Sequence, residues 1–101
     1  PDDFIIPSSK ALNMVLMLQE AVNNAVKHAA ATEIKATSNT AANEWRIAIS
    51  DNGKGFNLPL VKTEKKDSYG LGNMQERATA SAISLSISSE TGNGTSVILT
   101  I

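Results

Sequence analysis

The chain contains no cysteine, which removes disulfide frameworks and thiolate metal sites and fits a reducing compartment. Charge of either sign is not in excess. Nine Lys and Arg stand against ten Asp and Glu, a formal net charge of −1, so there is no basic field to hold nucleic acid by its phosphates. Long apolar runs are absent too. The longest, Met14–Leu18, has five residues, against about 20 for a bilayer-spanning helix, and no signal-peptide pattern opens the chain. We therefore expect a soluble, cytoplasmic domain that touches neither nucleic acid nor membrane directly. Its 101 residues suffice for one domain around a single modest core.

What is present reads as two halves joined by a polar loop. Pro7-Ser8-Ser9 offers a helix start with either serine able to cap, and the periodic segment after it runs to about Ala31. EIKATSN (33–39) and EWRIAIS (44–50) alternate like half-buried strands, and TAAN between them predicts a hairpin. NLPLVKTEKKDSY (57–69) shows no sustained period and holds a proline, so it reads as loop. LGNMQERATAS predicts a short helix of uncertain end, ISLSISS (83–89) a strand, TGNG a turn and TSVILTI (95–101) a buried last strand. DFII at the start reads as a strand remnant. Helix, hairpin, loop, helix, hairpin predicts an α/β two-layer sandwich, with helices on one face of a largely antiparallel sheet.

The first helix carries an anomaly, since QEAVNNAVKH (19–28) sets two adjacent asparagines in a segment otherwise rich in Ala, Leu and Met. Each costs roughly 0.6 kcal/mol relative to Ala. At 100° per residue, Val15, Leu18, Val22, Ala25, Val26 and Ala29 share a stripe and are the predicted core face. Glu20, Asn24 and Lys27 fall on the opposite side with His28 beside them. That side is either a solvated polar face or a ligand surface, and the helix alone does not decide.

Three glycine clusters follow. SDNGKGF (50–56) places Asp51 at the end of a strand before Asn-Gly-Lys-Gly; Asp-Asn-Gly is an ordinary turn, but the second glycine suggests a backbone that something approaches closely. YGLGNMQERA (69–78) sets Gly70 and Gly72 at a helix start, where N–H groups and a partial positive charge favour an anion. It is not a dinucleotide fingerprint, because Gln75 stands where a third glycine belongs, and no Walker A loop is present. TGNGTSV (91–97) reads first as an Asn-Gly hairpin turn opening a strand at Thr95.

Taken in order, these four segments resemble the ATP-binding domain of the GHKL superfamily (gyrase, Hsp90, histidine kinase, MutL), most closely the catalytic domain of bacterial sensor histidine kinases. QEAVNNAVKH is similar to the N box (E-x-x-x-N-x-x-K-H), DNGKGF to the first glycine box (D-x-G-x-G), GLGNMQER to the second and GNGTSV to the third. The resemblance runs from about Ser8 to the C-terminus and implies the Bergerat-type ATP-binding fold.

The same resemblance implies roles residue by residue. Asn24 matches the asparagine that coordinates Mg²⁺, a hard cation that takes oxygen ligands and arrives with phosphates, and Glu20 the glutamate that serves as general base. Lys27 and His28 match positions near the phosphates, Asp51 the aspartate that recognises the adenine amino group, and Thr95 the hydroxyl that supports the adenine end. Gly53 and Gly55 would let the base lie against backbone, and Gly70-Leu71-Gly72 would hinge the ATP lid and contact phosphate. Residues 57–69 would form that lid, with Lys62, Lys65 and Lys66 either facing the polyphosphate or keeping the loop soluble. Asn23 has no matching role and is expected to face solvent.

By this resemblance the chain is expected to be a monomeric catalytic domain excised from a longer protein, itself membrane-anchored or not. It would bind Mg·ATP and phosphorylate a histidine on a separate dimerisation domain, which in turn supplies a response regulator. The only histidine here, His28, lies inside the N box, so the acceptor is elsewhere. Two other readings stay open: a stand-alone serine kinase of the anti-sigma type, and a noncatalytic nucleotide-sensing module. Gyrase-, Hsp90- and MutL-like ATPases normally continue into a transducer domain that this length cannot contain.

Overall fold

A computed structural model describes residues 6–41, 43–55 and 70–101. The loop 57–69, with Lys62, Lys65 and Lys66, lies outside the described residues, as does most of DFII. Six elements follow in order: α1 (Ser8–Lys27), β1 (Ile34–Ala41), β2 (Glu44–Asp51), α2 (Leu71–Ala80), β3 (Ser84–Ser89) and β4 (Thr95–Thr100). The four strands form one antiparallel sheet in the order β1-β2-β4-β3. Both helices lie over one face of it, as expected for the two-layer sandwich. The partners of the closing hairpin were not readable from the chain; β4 takes the central place beside β2.

α1 is long because Ala, Leu and Met dominate it, and its ends depart from expectation. Neither serine caps it: Pro7 holds the cap position, Ser8 is already helical, and the Ala11 N–H closes the first turn on the Pro7 carbonyl at 2.9 Å. Proline fixes the backbone dihedral that an entering chain needs. The helix stops at Lys27 rather than near Ala31. Ala30 turns left-handed (φ 51°), and the Ala31 N–H reaches back to the Ala25 carbonyl at 3.0 Å, a closure usually made with glycine. α2 ends in the same manner, with Ala82 left-handed (φ 55°) and the Ile83 N–H on the Ala78 carbonyl at 2.9 Å.

The predicted core stripe of α1 is right in half: Ala25 and Ala29 are buried and Leu18 packs against the core, but Val15, Val22 and Val26 are 46%, 36% and 60% exposed, and the helix is rotated so that Met17, Ala21 and Asn24 are buried instead. The core packs Met17 and Ala21 of α1 with Met74 and Ala78 of α2 on Ile49, Ile83, Val97 and Leu99. The buried side is the one bearing small residues. Alanines let two helices and a sheet approach closely, and the two flexible methionines fill the irregular space between them. The rotation carries Asn24 inward, 9% exposed.

The strands behave as their period predicts. Ile47 and Ile49 of β2 and Val97 and Leu99 of β4 point into the core, and the alternate residues line the outer face. The Cα register sets Asp51 opposite Thr95, and Thr95 opposite Ser89. Three polar residues thus form one row across the strand ends.

Candidate nucleotide site

A cleft opens between α1, the ends of β2 and β4, and the start of α2. Asn24 and His28 line it from α1, Asp51 and Gly55 from the end of β2, Leu71 and Met74 from α2, and Thr95 from β4. Apolar walls come from Ala21, Ala29, Ile49, Ile87 and Val97. An apolar slot with a few polar groups at its rim suits a heteroaromatic base. The slot is narrow, a cavity of about 10 Å³, which is room for one water. A base entering it has to part the walls.

Asp51 is half-buried and held from within its own turn. Its Oδ1 accepts the Gly53 N–H at 2.8 Å, and Oδ2 holds no hydrogen bond among the described residues. One carboxylate oxygen therefore remains to accept a donor. Opposite it, the Thr95 hydroxyl pairs with the Ser89 hydroxyl at 2.8 Å, and Ser89 also reaches the Gly94 carbonyl at 3.3 Å. Ser89 escaped notice in the sequence, where it is one more serine in ISLSISS; its signal is the inward phase of that alternation.

The glycines near Asp51 are required by packing of turn against turn. A Cβ on Gly53 would stand 2.5 Å from the Cβ and carbonyl of Ala29 at the end of α1. On Gly55 (φ 62°) it would strike the Glu90 carbonyl, and on Gly94 (φ 78°) the Asp51 carbonyl. Hydrogen bonds run across the same seams. The Lys54 N–H donates to the Ala29 carbonyl at 2.9 Å, and the Gly92 N–H donates to the Lys54 carbonyl at 2.5 Å. Asn52 ties in the third neighbour, its Oδ1 accepting the N–H groups of Thr32 and Glu33 at 2.9 and 3.0 Å and its Nδ2 donating to the Thr32 hydroxyl at 2.9 Å. Gly53 does not line the cleft; close approach is needed here, but by protein backbone.

The other end of the site is made by side chains. Gly70, buried and left-handed (φ 67°), opens α2, and a Cβ there would meet the Glu20 carboxylate at 2.5 Å. Glu20 is thereby placed beside the N-terminus of α2, where the helix dipole favours negative charge. α2 runs antiparallel to α1, and at its far end Arg77 Nη1 donates to Asn13 Oδ1 at 3.1 Å while Asn13 Nδ2 donates to the Ser81 hydroxyl at 2.5 Å. These bonds fix where α2 begins relative to Glu20 and Asn24.

Of the residues singled out in the sequence, the fold brings Asn24, His28, Asp51, Gly55, Leu71 and Thr95 to one cleft, with Glu20 and Gly70 in contact beside it. Lys27 and Gly72 are exposed and are not among the residues that line this cleft. Among those residues no group of three or more His, Asp or Glu gathers to hold a metal ion by itself. The donor set suits a cation brought with phosphates: one amide on the cleft wall and one carboxylate a helical turn away.

Residues 9–101 match the family described as histidine kinase-, DNA gyrase B- and HSP90-like ATPase. The chain belongs to that family. The sensor histidine kinase YvfT of Bacillus subtilis is 39% identical over 99% of this chain, and the histidine-protein kinase/phosphatase DegS of the same organism 36% identical over 84%. The chain spans about a quarter of the length of these relatives, 25% and 22%. Among solved structures, the blue-light activated histidine kinase of Erythrobacter litoralis superposes with a TM-score of 0.76 at 20% identity, covering 99% of this chain and 32% of that one. The ATP-binding domain of PrrB from Mycobacterium tuberculosis gives 0.68 at 24% identity, covering 86% and 64%. These likenesses bear out the α+β fold and the resemblance drawn from the four segments. No helix among the described residues is long and apolar enough to cross a membrane.

Proposed function

We propose that this chain is the ATP-binding catalytic domain of a sensor histidine kinase, that it binds Mg·ATP, and that it passes the γ-phosphoryl group to a histidine on a dimerisation domain. The single observation that carries this is the convergence of an adenine-type end (Asp51 with an uncommitted carboxylate oxygen, Thr95 opposite it) with a phosphate-type end (Asn24, and Gly70 against Glu20) along one cleft.

In this reading the base enters between Ile49, Met74 and Val97, and Asp51 Oδ2 accepts its exocyclic N–H. That bond discriminates by charge and direction. The triphosphate then runs toward the start of α2, where the dipole and the glycine backbone favour an anion. Asn24 would supply an amide oxygen to the magnesium that accompanies the phosphates, and the ion would supply charge neutralisation there. His28 stands on the cleft wall and Lys27 at the last turn of α1, and by the family resemblance both would come near the phosphates. Glu20 takes a proton from the attacking group. Most of the acceleration comes from placement and charge compensation.

The remaining features follow from that assignment. Residues 1–101 act as one monomeric catalytic unit with residues 57–69 as its lid, the acceptor histidine lies in a helical dimerisation domain of the same kinase, and a response regulator receives the group afterwards. The domain works on the cytoplasmic side, whether or not the parent is anchored in a membrane.

The test is a transfer assay with the histidine-bearing domain of YvfT supplied in trans. An acid-labile, Mg²⁺-dependent phosphoryl label on that domain is expected. Acid-stable phosphoserine on a partner protein instead would assign the chain to the anti-sigma type, and ATP binding without transfer to any acceptor would make it a nucleotide-sensing module.

A further inference from the structure

The chain has two Asn-Gly steps, Asn52-Gly53 and Asn93-Gly94. Such a step is prone to lose the asparagine amide, because glycine, with no Cβ, lets its backbone nitrogen reach the preceding side chain. The fold treats the two steps in opposite ways. We propose that Asn93 is a modification site, converting spontaneously to isoaspartate in the folded protein, and that Asn52 is protected from the same reaction.

At Asn52 both reacting groups are tied down. Its Oδ1 accepts the N–H groups of Thr32 and Glu33 and its Nδ2 donates to the Thr32 hydroxyl, so swinging the amide toward Gly53 breaks all three bonds. The nitrogen that would attack, that of Gly53, donates to Asp51 Oδ1 at 2.8 Å. At Asn93 much less is held. The side chain is exposed, Nδ2 makes a single bond to Glu90 Oε2 at 3.1 Å, and Oδ1 accepts nothing among the described residues. The Gly94 N–H, the attacking group here, donates to nothing among those residues.

The reaction balances with water as the only co-reactant. The Gly94 nitrogen loses its proton and forms a bond to Asn93 Cγ, the bond from Cγ to Nδ2 breaks, and Nδ2 takes up the proton and leaves as ammonia. A succinimide ring remains. Water adds at its main-chain carbonyl and breaks the bond from that carbon to the Gly94 nitrogen, so the chain now runs through the former side chain. Isoaspartate lengthens the backbone by one carbon between residues 93 and 94 and sets a carboxylate beside that of Glu90. The hairpin has no slack to absorb this. Gly94 packs so closely on the Asp51 carbonyl that an added Cβ would strike it, and the Gly92 N–H is bonded to the Lys54 carbonyl. The altered hairpin loses its seat on the turn 51–55. Resting on the nucleotide reading, ATP affinity falls with it.

Trypsin separates the two steps cleanly. Cleavage after Arg46, Lys54 and Arg77 yields 47–54, with Asn52 as its only side-chain amide, and 78–101, with Asn93 as its only one. After warming in mildly alkaline buffer below the melting temperature, the folded protein is expected to show the amide-to-acid mass gain in 78–101 at about tenfold or more the rate in 47–54. Electron-transfer fragmentation is expected to place the isoaspartyl linkage at residue 93. In urea the two rates should converge. Equal rates in the folded protein overturn the proposal, and so does an unchanged ratio in urea, which would assign the difference to local sequence. Calorimetry then compares aged protein with aged Asn93→Gln, whose longer side chain closes a ring far more slowly. ATP sites are expected to decline in the first in proportion to converted Asn93 and to persist in the second; equal retention overturns the functional consequence. If fresh protein binds no ATP, the nucleotide reading fails, and the peptide comparison still decides the modification.

Discussion

The two ends of the nucleotide cleft are built from different materials. Around Asp51, backbone meets backbone: the turn 51–55 rests on the end of α1 and on the hairpin 90–94 through glycines whose missing Cβ atoms make the contact possible. Around Glu20, side chain meets helix: Gly70 accepts a carboxylate, and Asn13, Arg77 and Ser81 hold two helices in register. The first arrangement tolerates no added atom but is indifferent to most side chains. The second tolerates small shifts and depends on particular functional groups. In the proposed reading, recognition of a rigid base belongs with the first, and chemistry on a moving phosphoryl group with the second.

Gly94→Ala should break the rigid end most severely. It combines a left-handed residue, about 1–2 kcal/mol, with a Cβ driven into the Asp51 carbonyl, an overpacking cost of about 1–3 kcal/mol. A loss of about 3 kcal/mol would lower the melting temperature by well over ~10 °C in a domain of this size, and ATP affinity should fall with it. Thermal denaturation measures the first and calorimetry the second. A melting temperature within a few degrees of the parent would show that the turns are not interlocked.

Asp51→Asn should leave the same region folded and remove its function. Asparagine keeps an Oδ1 to accept the Gly53 N–H, but turns an N–H toward the base where the carboxylate had an acceptor. ATP affinity should drop by about thirtyfold, roughly 2 kcal/mol, with melting little changed. Gly92→Ala sharpens the comparison further. It lies in the same hairpin as Gly94 with φ 87°, yet a Cβ there meets nothing within 4 Å, so it should cost only the backbone term, about 1 kcal/mol. Equal losses for Gly92→Ala and Gly94→Ala would mean that φ alone, and not contact with Asp51, governs the hairpin. Smallest of all, Arg46→Ala should alter stability by less than about 0.5 kcal/mol, because its 3.9 Å pair with Glu44 is exposed on both sides.

Much of the architecture was legible because period and turn chemistry are local. ISLSISS and EWRIAIS alternate, Asn-Gly and Gly-x-Gly punctuate them, and the four boxes stand in their family order. The rotation of α1 was not legible. The stripe kept Ala25 and Ala29, but hydropathy also favours Val15, Val22 and Val26, whereas close packing against α2 and the sheet selects Ala21 and Met17, and brings a buried amide along with them. Asn24→Ala illustrates the consequence. On a solvated helix it would gain about 0.6 kcal/mol of propensity; because Asn24 is buried and engaged in the fold, alanine also forfeits that interaction, and the loss of a polar contact of about 1 kcal/mol would cancel the gain. Nor were the row Asp51–Thr95–Ser89 or the role of Asn52 visible, since each depends on partners distant in the chain.

The bond from the Gly92 N–H to the Lys54 carbonyl, together with that from the Lys54 N–H to Ala29, has a consequence for how the molecule breathes. Two loop amides on exposed residues are protected only while three separate segments stay docked, so solvent deuterium reaches either of them through the same opening event. Their exchange should therefore slow together, and by the same factor, when nucleotide occupies the cleft, whereas neighbouring loop amides such as that of Thr91 keep their own pace. A pair of backbone probes outside any helix or strand would then report the closure of the adenine end without a label on the nucleotide.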